Sequence, residues 1–274
     1  MSLSEITALS NKYGKNPDYV LAGGGNTSYK TNDLLYVKPS GISLAEIKES
    51  DFVKMNRDKI RFVFVEKAPD EAHSREAFVK HILAAAVSYD SQGRPSVETP
   101  LHEAIPYKFV VHLHPALVNG MTCGKDGERI CESLFPDYLW VEYTNPGYTL
   151  ALKLNSEIAK IAKSGRACPK AIFLQNHGVF VAGDSGLEIE SIYNEIMGKL
   201  RDFYKSKGAK LSLLVGEKPD SDLVANFAPK LRSWLSSECN RVTITASGYF
   251  EVANGPLSPD HVVYSKSFAL KTKD

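Results

Sequence analysis

Apolar residues recur along the chain with two different periods. Spacings of three and four residues predict amphipathic helices, which cover residues 2–13, 74–83, 150–162, 189–204 and 223–235. Short apolar runs bounded by turn residues predict strands, which cover residues 34–38, 52–53, 60–65, 110–113, 138–143, 171–175 and 179–181. The tail at residues 255–266 is predicted to be a loop followed by a strand. The mixture of elements indicates an α/β or α+β protein.

The apolar run at residues 110–113 contains a pair of histidines, His112 and His114. Residues two apart in a strand point to the same face, so we expect the two imidazoles side by side where Pro115 ends the strand. Neutral imidazole is the commonest metal ligand in proteins. The pair alone also fits a simpler interpretation, in which one histidine is satisfied at the strand end and the other lies on the surface.

A third histidine, His177, follows the apolar run at residues 171–175 and precedes Gly178. It supplies the ligand that the first pair lacks. Three histidines with an open position are typical of a catalytic divalent metal, whereas structural zinc sites are closed by four ligands that usually include cysteine. His73 and His81 have no partner at ligand spacing, so we interpret them as surface or satisfied histidines.

Two short turns are rich in hydrogen-bond donors. Gly23–Gly25 exposes backbone N–H groups and permits positive φ, so it can form an anion-binding loop with Asn26, Thr27 and Ser28. A glycine cluster is also typical of an ordinary turn, and its spacing matches neither a dinucleotide-binding loop nor a P-loop. Pro39–Gly41 forms the second turn.

Glu98 precedes a short helix that leads into the strand of His112. Thr99 is predicted to cap that helix, with Pro100 at its first position. A carboxylate at this point can reach a metal on the strand. In the alternative interpretation Glu98 is a solvated residue favoured by the helix dipole, and His102 is a contact on the helix face. Ser74 is the predicted cap of the helix at residues 74–83.

Composition narrows the class of protein. The 274 residues suffice for a full core, and 33 Lys and Arg against 32 Asp and Glu give a net charge of +1, which argues against nucleic acid or a membrane surface as the main partner. We find no signal-peptide pattern at the start and no apolar run long enough to span a bilayer. The four cysteines are scattered, at Cys123, Cys131, Cys168 and Cys239. Their spacing indicates reduced thiols, so we expect a cytoplasmic protein.

Together these motifs resemble the class II aldolase/adducin family. The resemblance rests on Gly24–Ser28, Lys38–Gly41, Ser96–Glu98, His112–Pro115 and Asn176–Gly178, in this order. Thr99–His102 and the tail at residues 255–261 look most like the aldolase part of bifunctional rhamnulose-phosphate aldolase/dehydrogenase proteins, and we expect this chain to lack the dehydrogenase half. The resemblance implies a three-layer α/β/α fold with a mixed, mainly antiparallel sheet. We expect one domain over residues 1–274, with residues 219–274 as an extension that covers the site.

The resemblance also implies a reaction. It places a divalent metal, usually zinc, on His112, His114 and His177, and makes Glu98 the acid/base carboxylate, with a pKa that we expect to be raised. The implied activity is a lyase that cleaves a small ketose phosphate by retro-aldol chemistry through a metal-stabilised enediolate. Family members are often homotetramers. The implied phosphate-binding residues are Gly25, Asn26, Thr27, Ser40, Gly41 and Ser96.

Other activities remain open on the same scaffold. Val97 stands where better-known phosphate aldolases of the family carry a second serine, so the substrate could be unphosphorylated or bound differently. Sugar-phosphate 4-epimerases, decarboxylases and dehydratases resemble this chain in the same metal residues. The alternative to an enzyme is a non-catalytic, adducin-like interaction domain. Such domains lack the metal histidines that are present here.

Overall fold

The computed structural model describes residues 3–21, 23–209, 211, 218–238, 240–248 and 253–270. The chain divides into two compact units. The first comprises Met1–Leu200 and Pro256–Ser267, and the second comprises Arg201–Gly255 and Phe268–Asp274. Part of the predicted extension, residues 256–267, therefore belongs to the first unit. That residues 1–274 form one domain with an extension stays a prediction.

The first unit is built around a mixed sheet of seven strands in the described residues, in the order β3-β2-β1-β4-β7-β6-β5. Every neighbouring pair is antiparallel except β5 and β6. This confirms the predicted mainly antiparallel sheet. The strands are β1 (Asn26–Lys30), β2 (Leu34–Val37), β3 (Val53–Asn56), β4 (Phe109–Leu113), β5 (Leu139–Val141), β6 (Ala171–Leu174) and β7 (Gly178–Gly183).

Helices cover both faces of this sheet. On one face apolar residues of α4 and α7 pack with Val110 and Phe180 in a single buried cluster. On the other face Tyr193 of α8 donates to the carbonyl of Val111 at 3.0 Å, and Ser10 of α1 bonds to Thr27. The described α-helices are α1 (Leu3–Gly14), α2 (Arg57–Val65), α3 (Ala72–Ala86), α4 (Thr99–Ala104), α5 (Ala116–Thr122), α6 (Gly127–Leu134), α7 (Tyr148–Lys163), α8 (Gly186–Ser206) and α9 (Ser221–Leu235).

The strand predicted at residues 60–65 is wrong, because this segment lies in helix α2. The run is rich in aromatic and β-branched residues, which favour strands. Asn56, however, caps a helix by accepting from the backbone N–H of Lys59. Ile60 and Val63, three residues apart, are fully buried, so the burial follows the period of a helix.

Two predicted helix starts and the predicted final strand also need correction. Glu71, not Ser74, caps α3, by accepting from two backbone N–H groups of its first turn. Glu98, not Thr99, occupies the N-cap position of α4. The tail forms a single π-helical turn at His261–Ser265 where a strand was expected.

The remaining predicted elements are confirmed within a few residues of their predicted ends. The predicted helix start at Ser2 and the thiol of Cys239 lie outside the described residues. His73 and His81 are exposed on α3, as expected. Among the helices that the structure describes, none has the length and apolar character needed to cross a membrane.

Candidate metal centre and its surroundings

The structure brings His112, His114 and His177 together at one edge of the sheet. His112 lies in β4, His114 directly follows that strand, and His177 lies in the turn between β6 and β7. The Nε2 atom of His112 is 2.9 Å from Nε2 of His114 and 3.3 Å from Nε2 of His177. Within the described part of the chain, this is the group of side chains able to hold a metal ion.

The outer nitrogens of two of these rings are fixed by acceptors. Nδ1 of His112 donates to the carbonyl of Val179 at 3.0 Å, and Nδ1 of His114 donates to Oδ2 of Asp260 at 2.8 Å. Nδ1 of His177 is buried and has no hydrogen-bond partner among the described residues.

The resulting arrangement fits a divalent cation. Burial lowers the pKa of His112 well below its ordinary value, although the Glu98 carboxylate beside it acts in the opposite direction. In neutral rings that donate through Nδ1, the Nε2 lone pairs of His112 and His114 face each other. Two acceptors at that distance cannot bond to one another, whereas a metal ion between them satisfies both.

The backbone around the triad is closely packed. The ring of His112 stacks on Phe180, with centroids 4.0 Å apart. A Cβ atom on Gly178 would lie 2.6 Å from Cδ2 of His114, so only glycine fits beside this ring. Asn176 precedes His177 with a φ of 57°, a left-handed conformation that asparagine tolerates better than most residues.

Glu98 faces the triad from the start of α4. Its Oε1 atom lies 3.2 Å from Nε2 of His177 and 3.6 Å from Nε2 of His112. Burial acts to raise the pKa of Glu98. The three imidazoles beside the carboxylate together lower this pKa by more, so it lies well below its ordinary value. This is opposite to the raised pKa that we expected, because the sequence alone did not show how closely the imidazoles surround the carboxylate.

A chain of buried hydrogen bonds holds the other carboxylate oxygen. The amide of Asn26 donates to Oε2 of Glu98, and its Oδ1 atom accepts from Nε2 of His102. Nδ1 of His102 then accepts from the hydroxyl of Ser28, at 2.7 Å. Burial lowers the pKa of His102 to about 3, so this ring stays neutral and the direction of the chain is fixed.

The residues predicted to bind phosphate fall into two groups. Asn26 and Thr27 already have hydrogen-bond partners within the protein. Asn26 bonds to Glu98 and His102, and the Thr27 hydroxyl bonds to Ser10 on the opposite face of the sheet, at 2.7 Å. The other four are Gly25, Ser40, Gly41 and Ser96. Ser96 accepts from the backbone N–H of Glu98 at 3.2 Å, and Ser40 donates to the carbonyl of Pro95 at 3.4 Å.

The glycines of this second group have backbone conformations that favour glycine. Gly25 and Gly41 have φ values of 79° and 91°. A Cβ atom on Gly25 would also lie 2.8 Å from the carbonyl oxygen of His112. At Gly25 the absence of a side chain lets the backbone lie close to that of His112.

Sequence reasoning left three residues of this neighbourhood out of the candidate site. His102 lies four residues after Glu98, so its position one turn along α4 was a usable signal. Lys38 is 5% exposed and donates to the carbonyl of Pro39. Burial lowers the pKa of its amine, and the charge of Glu98 acts in the opposite direction. Asp260 lies 146 residues from His114, and no local pattern connects the two.

Fold and site together define a class of protein: an α/β/α scaffold with a candidate three-histidine metal centre and a facing carboxylate. The sequence model of one protein family, the Class II Aldolase and Adducin N-terminal domain, matches residues 4–189. The chain therefore belongs to the class II aldolase/adducin family.

The chain is also similar to individual proteins and solved structures. The chain is 24% identical, over an alignment 302 residues long, to the uncharacterized oxidoreductase YuxG of Bacillus subtilis (strain 168), and the match covers 98% of this chain but 42% of that protein. The N-terminal class II aldolase domain of a conserved protein from Thermoplasma acidophilum has a TM-score of 0.63 and 29% identity, over 73% of this chain and 92% of its own. YgbL of Escherichia coli, a candidate aldolase/epimerase/decarboxylase, has a TM-score of 0.53 and 18% identity, over 82% and 96%.

Proposed function

We propose that this protein is a metal-dependent carbon–carbon lyase of the aldolase type that acts on a small ketose phosphate. The observation that carries the proposal is the convergence of three imidazole Nε2 atoms on a point that Glu98 also faces, with Oε1 of Glu98 3.2 Å from His177. A pure interaction domain has no need of a buried carboxylate directed at three imidazoles, because burying such groups costs free energy.

His112, His114 and His177 would hold the metal, for which Zn²⁺ is the best match to three neutral imidazole ligands. A divalent cation bound there supplies Lewis-acid polarisation of the substrate oxygens on which negative charge develops. The buried surroundings strengthen this effect, since electrostatic interactions are stronger where water is excluded.

Glu98 is the proposed acid/base residue. Its lowered pKa keeps it ionised near neutral pH, so in the cleavage direction it starts as a base that accepts the proton of the substrate hydroxyl while the carbon–carbon bond breaks. It returns that proton to the carbon on which negative charge develops. Asn26 holds Oε2, which leaves Oε1, the oxygen that faces the histidines, as the atom that moves the proton.

Gly25, Ser40, Gly41 and Ser96 are the proposed phosphate-binding residues. The turn of Ser40 lies against Pro95, one residue before Ser96, so both hydroxyls belong to one small region beside Glu98. Binding a phosphate there would position the reacting carbons and use remote binding energy for catalysis. Thr27 is left out of this set, because its hydroxyl bonds to Ser10.

The finer assignment, to the aldolase part of rhamnulose-phosphate aldolase/dehydrogenase proteins, is also a proposal. The chain spans 42% of the length of the curated relative that it matches, an oxidoreductase by name. That supports a module which other proteins join to further sequence. The homotetramer and the cytoplasmic location predicted above belong to the same proposal, and sedimentation velocity tests the first of them.

Metal content is the first test. The purified protein should contain about one divalent ion per chain, as one three-histidine site implies. His177→Ala should lose the ion, whereas Glu98→Ala should keep it. His81→Ala, which changes an exposed histidine on α3, is the matched control and should behave as the parent. A parent protein that contains no metal and takes up none from added Zn²⁺ contradicts the proposal.

Activity is the second test. The parent should release an aldehyde together with dihydroxyacetone phosphate or a similar fragment from at least one ketose phosphate in a panel, and Glu98→Ala should not. A product that retains the full carbon skeleton, with no free aldehyde, would indicate the epimerase alternative. Release of carbon dioxide or of water would indicate a decarboxylase or a dehydratase.

A further inference from the structure

The segment Pro256–Ser267, here called the return segment, belongs to the first unit although the residues on both sides of it belong to the second. It is tied to the loops that carry the metal-centre histidines. The carbonyl of Leu257 accepts from the side-chain amide of Asn176 at 3.0 Å and from the thiol of Cys123 at 3.3 Å. Asn176 directly precedes His177, so the return segment is attached to the turn that carries this histidine.

The same segment also contacts the glycine loop. A Cβ atom on Gly24 would lie 2.9 Å from Oδ2 of Asp260, and one on Gly23 would lie 2.8 Å from the hydroxyl of Tyr264. Side chains at either glycine would push the return segment away. These glycines, which the sequence suggested as an anion-binding loop, therefore make room for a carboxylate of the chain itself.

That carboxylate reaches the ring of His114. His114 follows the last residue of β4, so the sheet does not orient its side chain as it orients His112. The bond from Nδ1 to Oδ2 of Asp260, at 2.8 Å, fixes both the ring plane and the tautomer. It leaves the Nε2 lone pair facing His112, and a carboxylate acceptor makes this nitrogen a stronger donor to a metal.

We propose that Asp260 is the positioning residue of the metal centre, and that the return segment is a structural part of this centre. Asp260 orients His114 from outside, in the way that the carbonyl of Val179 orients His112. The proposal rests on the metal site of the proposed function, and adds to it a residue that lies far from the histidines in the sequence.

Metal affinity tests the proposal directly. The dissociation constant for Zn²⁺ is measured by competition with a chromophoric chelator, for the parent, Asp260→Ala, Asp260→Asn and Val263→Ala. Asp260→Ala should bind Zn²⁺ about 10–100-fold more weakly, as is usual when such a partner is removed. Asp260→Asn, whose amide oxygen still accepts from Nδ1 but lacks the charge, should lose less. Val263 is 63% exposed on the same segment, and its variant should match the parent.

A spectroscopic measurement separates positioning from general damage to the fold. The visible absorption of bound Co²⁺ should change in Asp260→Ala, because the ligand field depends on how His114 is held, and should be restored towards the parent spectrum in Asp260→Asn. The thermal stability of the metal-free proteins should stay equal. If Asp260→Ala does not fold, Asp260→Asn carries the test.

Two failures are distinguishable. A parent protein that binds no Zn²⁺ overturns the proposed function, and the inference with it. A parent that binds Zn²⁺ as tightly as both Asp260 variants, with identical Co²⁺ spectra, overturns the role of Asp260 alone.

Discussion

The side-chain amide of Asn26 donates a hydrogen bond to Glu98 across 72 residues of sequence. Asn26 is paired in register with His112, so the strand that holds the candidate metal ligand also fixes the residue that orients the carboxylate. His102 continues the chain of bonds on the far side of Asn26. The direction of Glu98 is thus determined by Asn26 of the sheet, which is itself held by His102 of α4.

Replacing His102 by alanine should therefore disturb Glu98 without removing metal. The buried oxygen of Asn26 and the hydroxyl of Ser28 lose their partner, which should lower the free energy of unfolding by about 1–3 kcal/mol. The kcat/KM for the accepted substrate should fall about 10–100-fold, as for other residues that orient catalytic groups. Denaturant titration, metal analysis and kinetics check this, with His81→Ala as control. Loss of metal in His102→Ala would contradict the assigned role.

The buried amine of Lys30 should make stability depend on pH. Lys30 is 4% exposed and donates to the carbonyls of His102 and Ile105. Burial lowers its pKa from 10.5 to about 7 in the folded protein, although Glu103 acts in the opposite direction. Between these two values the unfolded chain binds one more proton than the folded chain, so stability due to Lys30 rises with pH.

The comparison is made between the parent and Lys30→Met. The parent should gain up to about 1.4 kcal/mol of unfolding free energy per pH unit relative to the variant, between about pH 7 and 10. Urea titrations at several pH values measure this difference. Lys80→Met, which changes an exposed lysine on α3, should show the pH dependence of the parent. Parallel curves for the parent and Lys30→Met would contradict the prediction.

Gly178 and Gly198 should respond to alanine in opposite directions. A Cβ atom on Gly178 meets the ring of His114 and the carbonyl of Leu113, both at 2.6 Å, whereas one on Gly198 meets nothing within 4 Å. Gly178→Ala should cost about 1–3 kcal/mol through overpacking and weaken metal binding. Gly198→Ala, inside α8, should stabilise the protein by about 0.5–1 kcal/mol. Thermal and chemical unfolding distinguish the two, and equal effects would show that the packing at Gly178 is misjudged.

Removing the metal should lower the stability of the parent protein. A bound ion stabilises the folded state by mass action, by about 2.7 kcal/mol when its free concentration is a hundred times the dissociation constant. A chelator such as EDTA should therefore reduce the melting temperature of the parent and leave that of His177→Ala unchanged. Calorimetry with and without Zn²⁺ measures the shift. A chelator effect of equal size in His177→Ala would place the stabilising ion elsewhere.

The elements with a clear period were predictable from the sequence, and those decided by a cap or by burial were not. The helix at α7 and the strand at β4 follow from their apolar spacing alone. Residues 60–65 have the composition of a strand, and only the Asn56 cap and the burial of Ile60 and Val63 make them a helix.

The gathering of the three histidines was predictable for a related reason. Each of them ends or follows an apolar run, and β4 and β6 both pair antiparallel with β7, so their carboxyl ends lie at one edge of the sheet. The partners of their outer nitrogens were not predictable. Whether Nδ1 of a histidine meets the carbonyl of Val179 or the carboxylate of Asp260 depends on sheet register and on a segment far along the chain.

The register of β4 has a consequence for how this chain can change. His112 is opposite Asn26 on one side and Phe180 on the other. One residue inserted within β4 would rotate His112 to the face covered by α1 and α8, and would break its alignment with both neighbours. Loops that do not touch the histidines are free of this constraint. Insertions and deletions can accumulate in those loops and change which substrates fit, whereas the number of residues within 109–114 must be conserved.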